Sequence, residues 1–156
     1  MKEIIEILRE KNKTISTMES CTGGMLAAEI TNIPNSSLVF KFGAVTYSNE
    51  FKIKMNVSKE LIDKYSVYSE EVAKDMSYQI SLFTNSDYGI GITGKLNYQD
   101  INNMKGDNNC VYFSIYDRAN NIYFTDKIIV LDNERVVNKQ KVINTVVDKI
   151  KSILLK

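Results

Sequence analysis

The spacing of apolar residues along the chain predicts helices that alternate with strands. Ile4, Ile5 and Leu8 recur at helical spacing, which predicts an amphipathic helix over residues 2–11. A β-branched run at residues 14–19 predicts a buried strand after it. The same rules predict a helix over residues 25–30, a strand over 40–48, a helical turn over 50–55, two helices that begin at Ser58 and Ser69, a strand over 88–93, a hairpin over 111–130 and a terminal helix over 136–154.

Two of the longer predicted helices carry apolar stripes that should face a core. The stripe of the helix after Ser69 consists of Val72, Met76, Ile80 and Phe83. The stripe of the terminal helix consists of Val136, Ile143, Val147, Ile150 and Leu154. Residues 95–108 are polar and lack any periodicity, and a segment of that length indicates a functional or mobile loop.

The order of these elements predicts the fold class. Strands that alternate with helices imply a sheet covered on both faces, and the hairpin makes that sheet mixed rather than parallel. We therefore expect an α/β protein, a three-layer α/β/α sandwich with a mixed sheet, formed as a single domain by residues 1–156. Ligands of such sheets bind beyond the carboxyl ends of the strands. Two predicted strands end in small polar residues, at residues 20–24 and at Thr93-Gly94.

Composition narrows the classes of function. The chain has 156 residues and a formal net charge of +1, without the basic balance that is typical of nucleic-acid-binding proteins. No apolar run approaches the roughly 18 residues of a membrane span. The N-terminus lacks the pattern of a signal peptide, and two cysteines are too few for a secreted disulfide framework. We expect a cytoplasmic protein that binds neither nucleic acid nor membranes.

The sequence contains no histidine, and this limits the possible chemistry. Ser-His-Asp and Cys-His catalysis are excluded, as are metal sites with histidine ligands. Two cysteines also cannot form a four-thiolate zinc site. Covalent catalysis would need Ser, Thr, Cys or Lys as the nucleophile, with Lys, Tyr or a carboxylate as the proton carrier.

The turn from Glu19 to Gly24 is the first candidate site. Glycines between a strand and a helix expose backbone N–H groups at the positive end of the helix, where a phosphate or an oxyanion can bind. The alternative is a plain turn in which Ser20 caps the helix and Cys21 is a buried packing residue. The turn lacks the lysine of a P-loop and the spacing of a dinucleotide fingerprint, so both interpretations stay open.

The segment from Gly43 to Lys52 is the second candidate site. Tyr47 lies at a strand end and Lys52 in the turn that follows, so both could reach the cleft that contains Ser20. Without histidine, lysine is the natural base for a serine if burial or a nearby cation lowers its pKa from roughly 10.4 toward neutrality. The alternative is a solvent-exposed lysine on a short helix.

Four segments, in this order, resemble the C-terminal domain of the CinA (competence/damage-inducible) family. They are residues 19–24 (Glu-Ser-Cys-Thr-Gly-Gly), residues 43–52 with Tyr-Ser-Asn-Glu and Lys52, residues 67–73 and residues 91–94. The resemblance extends from about Thr14 to the final helix. Several linked motifs in matching order and spacing are more specific than any one of them.

The resemblance implies a nicotinamide mononucleotide deamidase, which hydrolyses a carboxamide to an acid and ammonia without a metal or another cofactor. It implies a small-molecule nucleotide as the partner, a homo-oligomer, Ser20 as the nucleophile, and Tyr47 and Lys52 as proton carriers. The matching substrate-binding positions are Glu19, Thr22, Gly23, Gly24, Asn49, Thr93, Gly94 and Arg135.

Two segments depart from the family pattern. A glycine- and proline-rich loop normally follows Thr-Gly, whereas residues 95–100 contain no glycine, and a backbone without glycine cannot easily approach a phosphate. The Gly-Asp-Arg that normally precedes the last helix is replaced by residues 131–135. There Glu134 takes the place of the arginine, unless Arg135 substitutes after a shift of one residue.

These departures leave an alternative function open. Lys95 could supply the missing positive charge, or it could be a loop lysine bound only to water. The alternative to the hydrolase is a non-catalytic family member that binds a nucleotide or a protein partner. A third hypothesis, a nucleic-acid-binding competence factor, is disfavoured by the nearly neutral charge.

Overall fold

A computed structural model describes residues 1–156, which is the whole chain. The helices are α1 (Lys2–Glu10), α2 (Met25–Thr31), α3 (Asn49–Lys54), α4 (Lys59–Tyr65), α5 (Glu70–Thr84) and α6 (Arg135–Leu154), with a short 3-10 helix at Ser36–Leu38. The strands are β1 (Ile15–Glu19), β2 (Phe40–Val45), β3 (Tyr88–Gly94), β4 (Cys110–Asp117) and β5 (Ile122–Ile129). The predicted order of elements is confirmed. None of the helices combines the length and the apolar character that crossing a bilayer requires.

The five strands form one mixed sheet in the order β2-β1-β3-β4-β5. β1 pairs in parallel with β2 and with β3, whereas β4 is antiparallel to both β3 and β5. Because β1, β2 and β3 are parallel, their carboxyl ends meet at one edge of the sheet. That edge brings together the segments that follow Glu19, Val45 and Gly94.

Helices cover both faces of the sheet. Successive strand residues point to opposite faces, and in β1 Ile15 belongs to one buried cluster while Met18 belongs to another. The larger cluster includes residues from α1, α2 and α6, and the smaller one includes residues from α4 and α5. The three-layer α/β/α sandwich is therefore confirmed.

Two glycines of β3 allow α5 to pack directly on the sheet. A Cβ atom at Gly89 would lie 2.0 Å from the carbonyl oxygen of Ser77, and one at Gly91 would lie 2.4 Å from that of Ala73. Both distances are far below van der Waals contact, so a side chain at either position would force the helix away from the strand.

Two residues of the predicted stripes are exposed, and for them the prediction of burial was wrong. Phe83 is 63% exposed, and its ring packs against that of Phe42 on the edge strand β2, with 5.5 Å between the centroids. Val136 is 60% exposed, and the buried face of α6 begins at Asn138. Both residues lie in a terminal turn of their helix, where the apolar stripe continues beyond the part that packs on the sheet.

Candidate active site

A cavity of about 760 Å³ lies at the carboxyl ends of the parallel strands. The strand ends and helix starts contribute the lining residues Ser20, Cys21, Tyr47, Ser48, Asn49, Tyr68, Gly94 and Arg135. The loop after β3 contributes Lys95, Leu96, Tyr98, Gln99, Asp100, Ile101, Asn102 and Asn103. One wall of the cavity is therefore built by the segment that departs most from the family pattern.

Ser20 and Lys52 form a buried pair at this cavity. The Nζ atom of Lys52 lies 3.0 Å from Oγ of Ser20 and 2.7 Å from the carbonyl oxygen of Thr46, and it donates to both. Lys52 is 1% exposed and Ser20 is 4% exposed. The hydroxyl of Ser48 caps the N-terminus of α3 and so orients the helix that carries Lys52. The structure thus brings the candidate nucleophile and the candidate base together from two separate segments.

Burial also changes the protonation of Lys52. Desolvation lowers the pKa of Lys52 to about 8, and the weaker opposing influences of Cys21 and Asp100 do not cancel it. At neutral pH a lysine with this pKa is neutral in a much larger fraction of molecules than an ordinary lysine. A neutral amine can accept a proton. The pKa of Lys52 is lowered toward neutrality, as a lysine that acts as the base for a serine requires.

Glu19 and Thr22 were predicted to bind substrate, but their side chains are directed into the protein. Glu19 is fully buried, and its carboxylate accepts hydrogen bonds from the Thr22 hydroxyl at 2.6 Å and from the backbone N–H groups of Leu26 and Ala27 at 3.1 and 2.9 Å. A carboxylate on the first N–H groups of a helix occupies the place where an anionic ligand would bind. Glu19 therefore holds the start of α2, and Ser20 does not cap that helix.

Gly23 and Gly24 form the turn between β1 and α2 with left-handed backbone conformations, at φ 65° and 91°. The N–H of Gly23 donates to the carbonyl oxygen of Ser20 at 3.0 Å. The N–H groups of Cys21, Thr22 and Gly24 have no acceptor within the protein. These three N–H groups, rather than that of Gly23, are the free donors of the turn.

The ammonium group of Lys139, a residue of α6, also lies close to this turn. A Cβ atom at Gly23 would lie 3.2 Å from Nζ of Lys139, so the lysine side chain reaches the glycine backbone. Lys139 is partly buried.

Tyr47 and Arg135 lie on the cavity wall and contact each other. A guanidinium nitrogen of Arg135 donates to the Tyr47 hydroxyl at 3.4 Å. Tyr47 is 65% exposed, and its hydroxyl makes no hydrogen bond with Ser20 or Lys52. Arg135 lines the cavity, which agrees with a shift of one residue relative to the arginine of the family's Gly-Asp-Arg. Glu134 is the exposed N-cap residue of α6.

The remaining predicted binding positions differ in their access to the cavity. The Nδ2 atom of Asn49 donates to Oδ1 of Asn103 at 2.8 Å, which joins α3 to the loop. Gly94 borders the cavity, and a Cβ there would lie 2.4 Å from the carbonyl oxygen of Cys110. Thr93 is fully buried, and its hydroxyl donates to the carbonyl oxygen of Val67 at 2.9 Å. Thr93 therefore positions the strand end and does not offer its side chain to a substrate.

Lys95 organises the loop after β3 and is not a hydrated surface lysine. It is 3% exposed, and its ammonium group donates to the carbonyl oxygens of Met104 and Gly106 and to Oδ1 of Asn108, at 3.4, 3.3 and 3.2 Å. Its charge is therefore directed at the loop's own acceptors. Of the two alternatives for Lys95, a lysine bound only to water is excluded, because the polar loop folds around its ammonium group.

Asp100 and Tyr68 are cavity residues that the sequence analysis missed. The Tyr68 hydroxyl donates a short hydrogen bond to the Asp100 carboxylate, which also accepts from Nδ2 of Asn103 at 2.9 Å. The signal available in the sequence was a run of polar residues directly after a strand that ends at the ligand-binding edge. That signal marks the loop but not which of its residues face inward.

Cys21 lies next to the candidate nucleophile but is unsuited to that role. It is 5% exposed and belongs to the larger buried cluster. Burial raises the pKa of the Cys21 thiol to about 12, so that the reactive thiolate is scarce at neutral pH. Cys21 is a packing residue, which is one of the two interpretations that the sequence left open.

Comparison with solved structures shows the same fold. A competence-damaged protein (CinA) superfamily protein from Klebsiella pneumoniae aligns with a TM-score of 0.88 and 22% identity, covering 99% of this chain and 94% of its own. A competence/damage inducible protein from Agrobacterium tumefaciens aligns with a TM-score of 0.87 and 24% identity, covering 99% of this chain and 92% of its own.

Curated relatives are similar over part of the chain. A competence-damage inducible protein from Clostridium botulinum is 49% identical over 92 residues, which is 58% of this chain and 22% of the relative. One from Clostridium kluyveri is 47% identical over 96 residues, or 60% of this chain and 23% of the relative. The matched segment thus spans between a fifth and a quarter of these relatives. The family model of the CinA C-terminal domain matches residues 1–154, and the chain belongs to this family.

Proposed function

We propose that this protein hydrolyses the carboxamide of nicotinamide mononucleotide, or of a related nucleotide amide, to the acid and ammonia. The observation that carries the proposal is the buried contact between Nζ of Lys52 and Oγ of Ser20, at 3.0 Å. The motifs shared with the CinA family favour the same reaction. The Arg135 guanidinium on the cavity wall is suited to the phosphate of such a substrate.

Ser20 needs an adjacent base because a serine hydroxyl is a weak nucleophile at its ordinary pKa. Lys52 is the group that can provide this help, since burial lowers its pKa to about 8 and its Nζ contacts the hydroxyl. The amine of Lys52 thus acts as the general base, which is the role of the histidine imidazole in Ser-His-Asp hydrolases.

In the first half of the reaction, the neutral amine of Lys52 takes the Ser20 proton while Oγ bonds to the carboxamide carbon. Lys52 then returns the proton to the amide nitrogen, and we assign to Tyr47, which lines the cavity, an assisting role in this transfer. The C–N bond breaks, which releases ammonia and leaves an ester between Ser20 and the acyl group of the substrate.

In the second half, water attacks the ester and gives a proton to Lys52. Oγ leaves the carbonyl carbon and recovers that proton, so the free acid departs and the starting hydroxyl is restored. The negative oxygen of both tetrahedral intermediates needs hydrogen-bond donors. The unpaired backbone N–H groups of Cys21 and Thr22 are the nearest candidates along the chain.

Ammonia release from nicotinamide mononucleotide tests the proposal. We expect turnover by the wild type and a loss of about 10³-fold or more in Ser20→Ala. Ser152→Ala, an exposed serine of α6, is the control and should retain the wild-type rate. Equal rates for wild type and Ser20→Ala would exclude Ser20 as the nucleophile. Calorimetric binding of the mononucleotide without any ammonia release would favour the non-catalytic alternative.

A further inference from the structure

Three charged side chains line the cavity, and the ammonium group of one of them, Lys95, is directed at acceptors of its own loop. The other two, Asp100 and Arg135, do not neutralise each other. The Asp100 carboxylate accepts hydrogen bonds from the Tyr68 hydroxyl, Nδ2 of Asn103 and the backbone N–H of Asn102, none of which is charged. Arg135 donates to the neutral Tyr47 hydroxyl. Neither Asp100 nor Arg135 takes part in a salt bridge. Two opposite charges are therefore presented to whatever occupies the cavity.

Asp100 is held as a carboxylate by its neighbours. Partial burial opposes its ionisation, but the hydrogen bonds from Tyr68, Asn103 and Asn102 outweigh that effect and keep the pKa of Asp100 below its usual value. Asp100 also stabilises the ammonium form of Lys52 electrostatically, opposing the fall in the lysine pKa. The carboxylate therefore lies within electrostatic range of the Ser20–Lys52 pair.

Aromatic rings of the cavity are, like the Asp100 carboxylate, suited to bind a positively charged group. Tyr68 and Tyr98 both line the cavity, and aromatic faces attract flat cationic rings as well as stacking on them. The ring of Tyr68 already lies 5.2 Å from the ammonium nitrogen of Lys95, whereas Tyr98 is 71% exposed and is engaged by no cation in the structure. A ring in the cavity would thus meet a carboxylate and an open tyrosine face.

We infer that Asp100 makes the cavity selective for a substrate whose reacting ring carries a positive charge, with an anionic group of the same molecule near Arg135. This inference rests on the proposed function and narrows its substrate class. An N-alkylpyridinium carboxamide nucleotide carries both charges. The same nucleotide with a reduced, dihydropyridine ring keeps the phosphate and the carboxamide but loses the positive charge. A neutral ring leaves the carboxylate without a matching charge, which is how a site discriminates against the wrong ligand.

The test compares binding of oxidised and reduced nicotinamide mononucleotide by calorimetry at mildly alkaline pH. Ser20→Ala serves as the background, because it prevents turnover during the titration. We expect the oxidised form to bind about tenfold more tightly than the reduced form, which is a modest ion-pair contribution. Adding Asp100→Asn should remove most of this preference. Adding Asp107→Asn should not, because that loop carboxylate lies outside the cavity lining and pairs with Lys127 at 3.4 Å.

The ratio of the affinities for the oxidised and the reduced mononucleotide distinguishes a role of Asp100 in ligand recognition from a role in the folding of the loop. If Asp100→Asn weakens both forms equally, Asp100 only supports the loop and the inference is wrong. Equal affinity for the two forms in the background, or binding of neither, would also overturn it. A tenfold preference together with no ammonia release by the wild-type protein would instead contradict the proposed hydrolysis and leave the charge selectivity standing.

Discussion

The side chain of Lys52 folds back to donate a hydrogen bond to the carbonyl oxygen of Thr46, at 2.7 Å. Thr46 follows β2 directly, and its own N–H donates to the carbonyl oxygen of Glu19 at 2.9 Å. The backbone contact that aligns the end of β2 with the end of β1 therefore also directs the amine toward Ser20. The candidate base is positioned by the sheet and not by a flexible loop.

The lowered pKa of Lys52 predicts how activity depends on pH. The base must be neutral, so kcat/KM for ammonia release should rise as the pH increases through about 8 and level off above it. Lys52→Met should lower the rate by about 10²- to 10⁴-fold. Lys54→Met, which removes an exposed lysine paired with Glu50, should leave the profile unchanged. A rate that is flat or falls across this range would contradict Lys52 as the base.

The same pKa shift predicts a pH dependence of stability. The folded-state pKa of Lys52 is about 8 and the ordinary value is 10.5, so between these values the unfolded chain binds a proton that the folded chain does not. The contribution of this group to the free energy of unfolding should therefore increase as the pH rises through that window. Urea denaturation of wild type and Lys52→Met measures it. The difference between the two proteins should change with pH, and a constant difference would show that Lys52 has an ordinary pKa in the folded state.

The buried carboxylate of Glu19 predicts a loss of stability in Glu19→Gln. An amide cannot accept from Thr22, Leu26 and Ala27 as a carboxylate does, and it introduces N–H groups without an acceptor. We expect the free energy of unfolding to fall by about 1–3 kcal/mol in urea denaturation. Glu29→Gln on the same helix is the control, because the Glu29 carboxylate makes no hydrogen bond in the structure. Unchanged stability in Glu19→Gln would argue against its role at the start of α2.

The contacts of Lys95 predict that Lys95→Met loosens the loop without unfolding the protein. A methionine cannot donate to the acceptors on Met104, Gly106 and Asn108. Amide hydrogen exchange over residues 95–108 should become about tenfold faster, while exchange in the sheet is unchanged. Lys105→Met, which removes an exposed lysine of the same loop, should have little effect. Equal exchange in Lys95→Met and wild type would show that the loop is held by other contacts.

The periodic pattern of apolar residues predicted the fold, whereas the residues alone left open whether Lys52 meets Ser20, and only the resemblance to the CinA family implied that they meet. Apolar spacing gives the elements, and the parallel strands bring their carboxyl ends together. The internal roles of Glu19 and Thr93 could not be predicted, because a motif shows that a residue is near a site but not where its side chain forms hydrogen bonds. The contacts of Lys95 and Asp100 could not be predicted either, since they join positions of a loop without periodicity.

The cavity is formed by a rigid part of the fold and by one continuous stretch of chain. Ser20 and Lys52 are fixed by the sheet, and the tight fit of Gly89 and Gly91 under α5 leaves that framework little freedom to change. Half of the residues that line the cavity come from the segment 95–103. Evolution, or an engineer, could therefore change the ligand that the cavity accepts by exchanging one short segment while leaving Ser20 and Lys52 untouched.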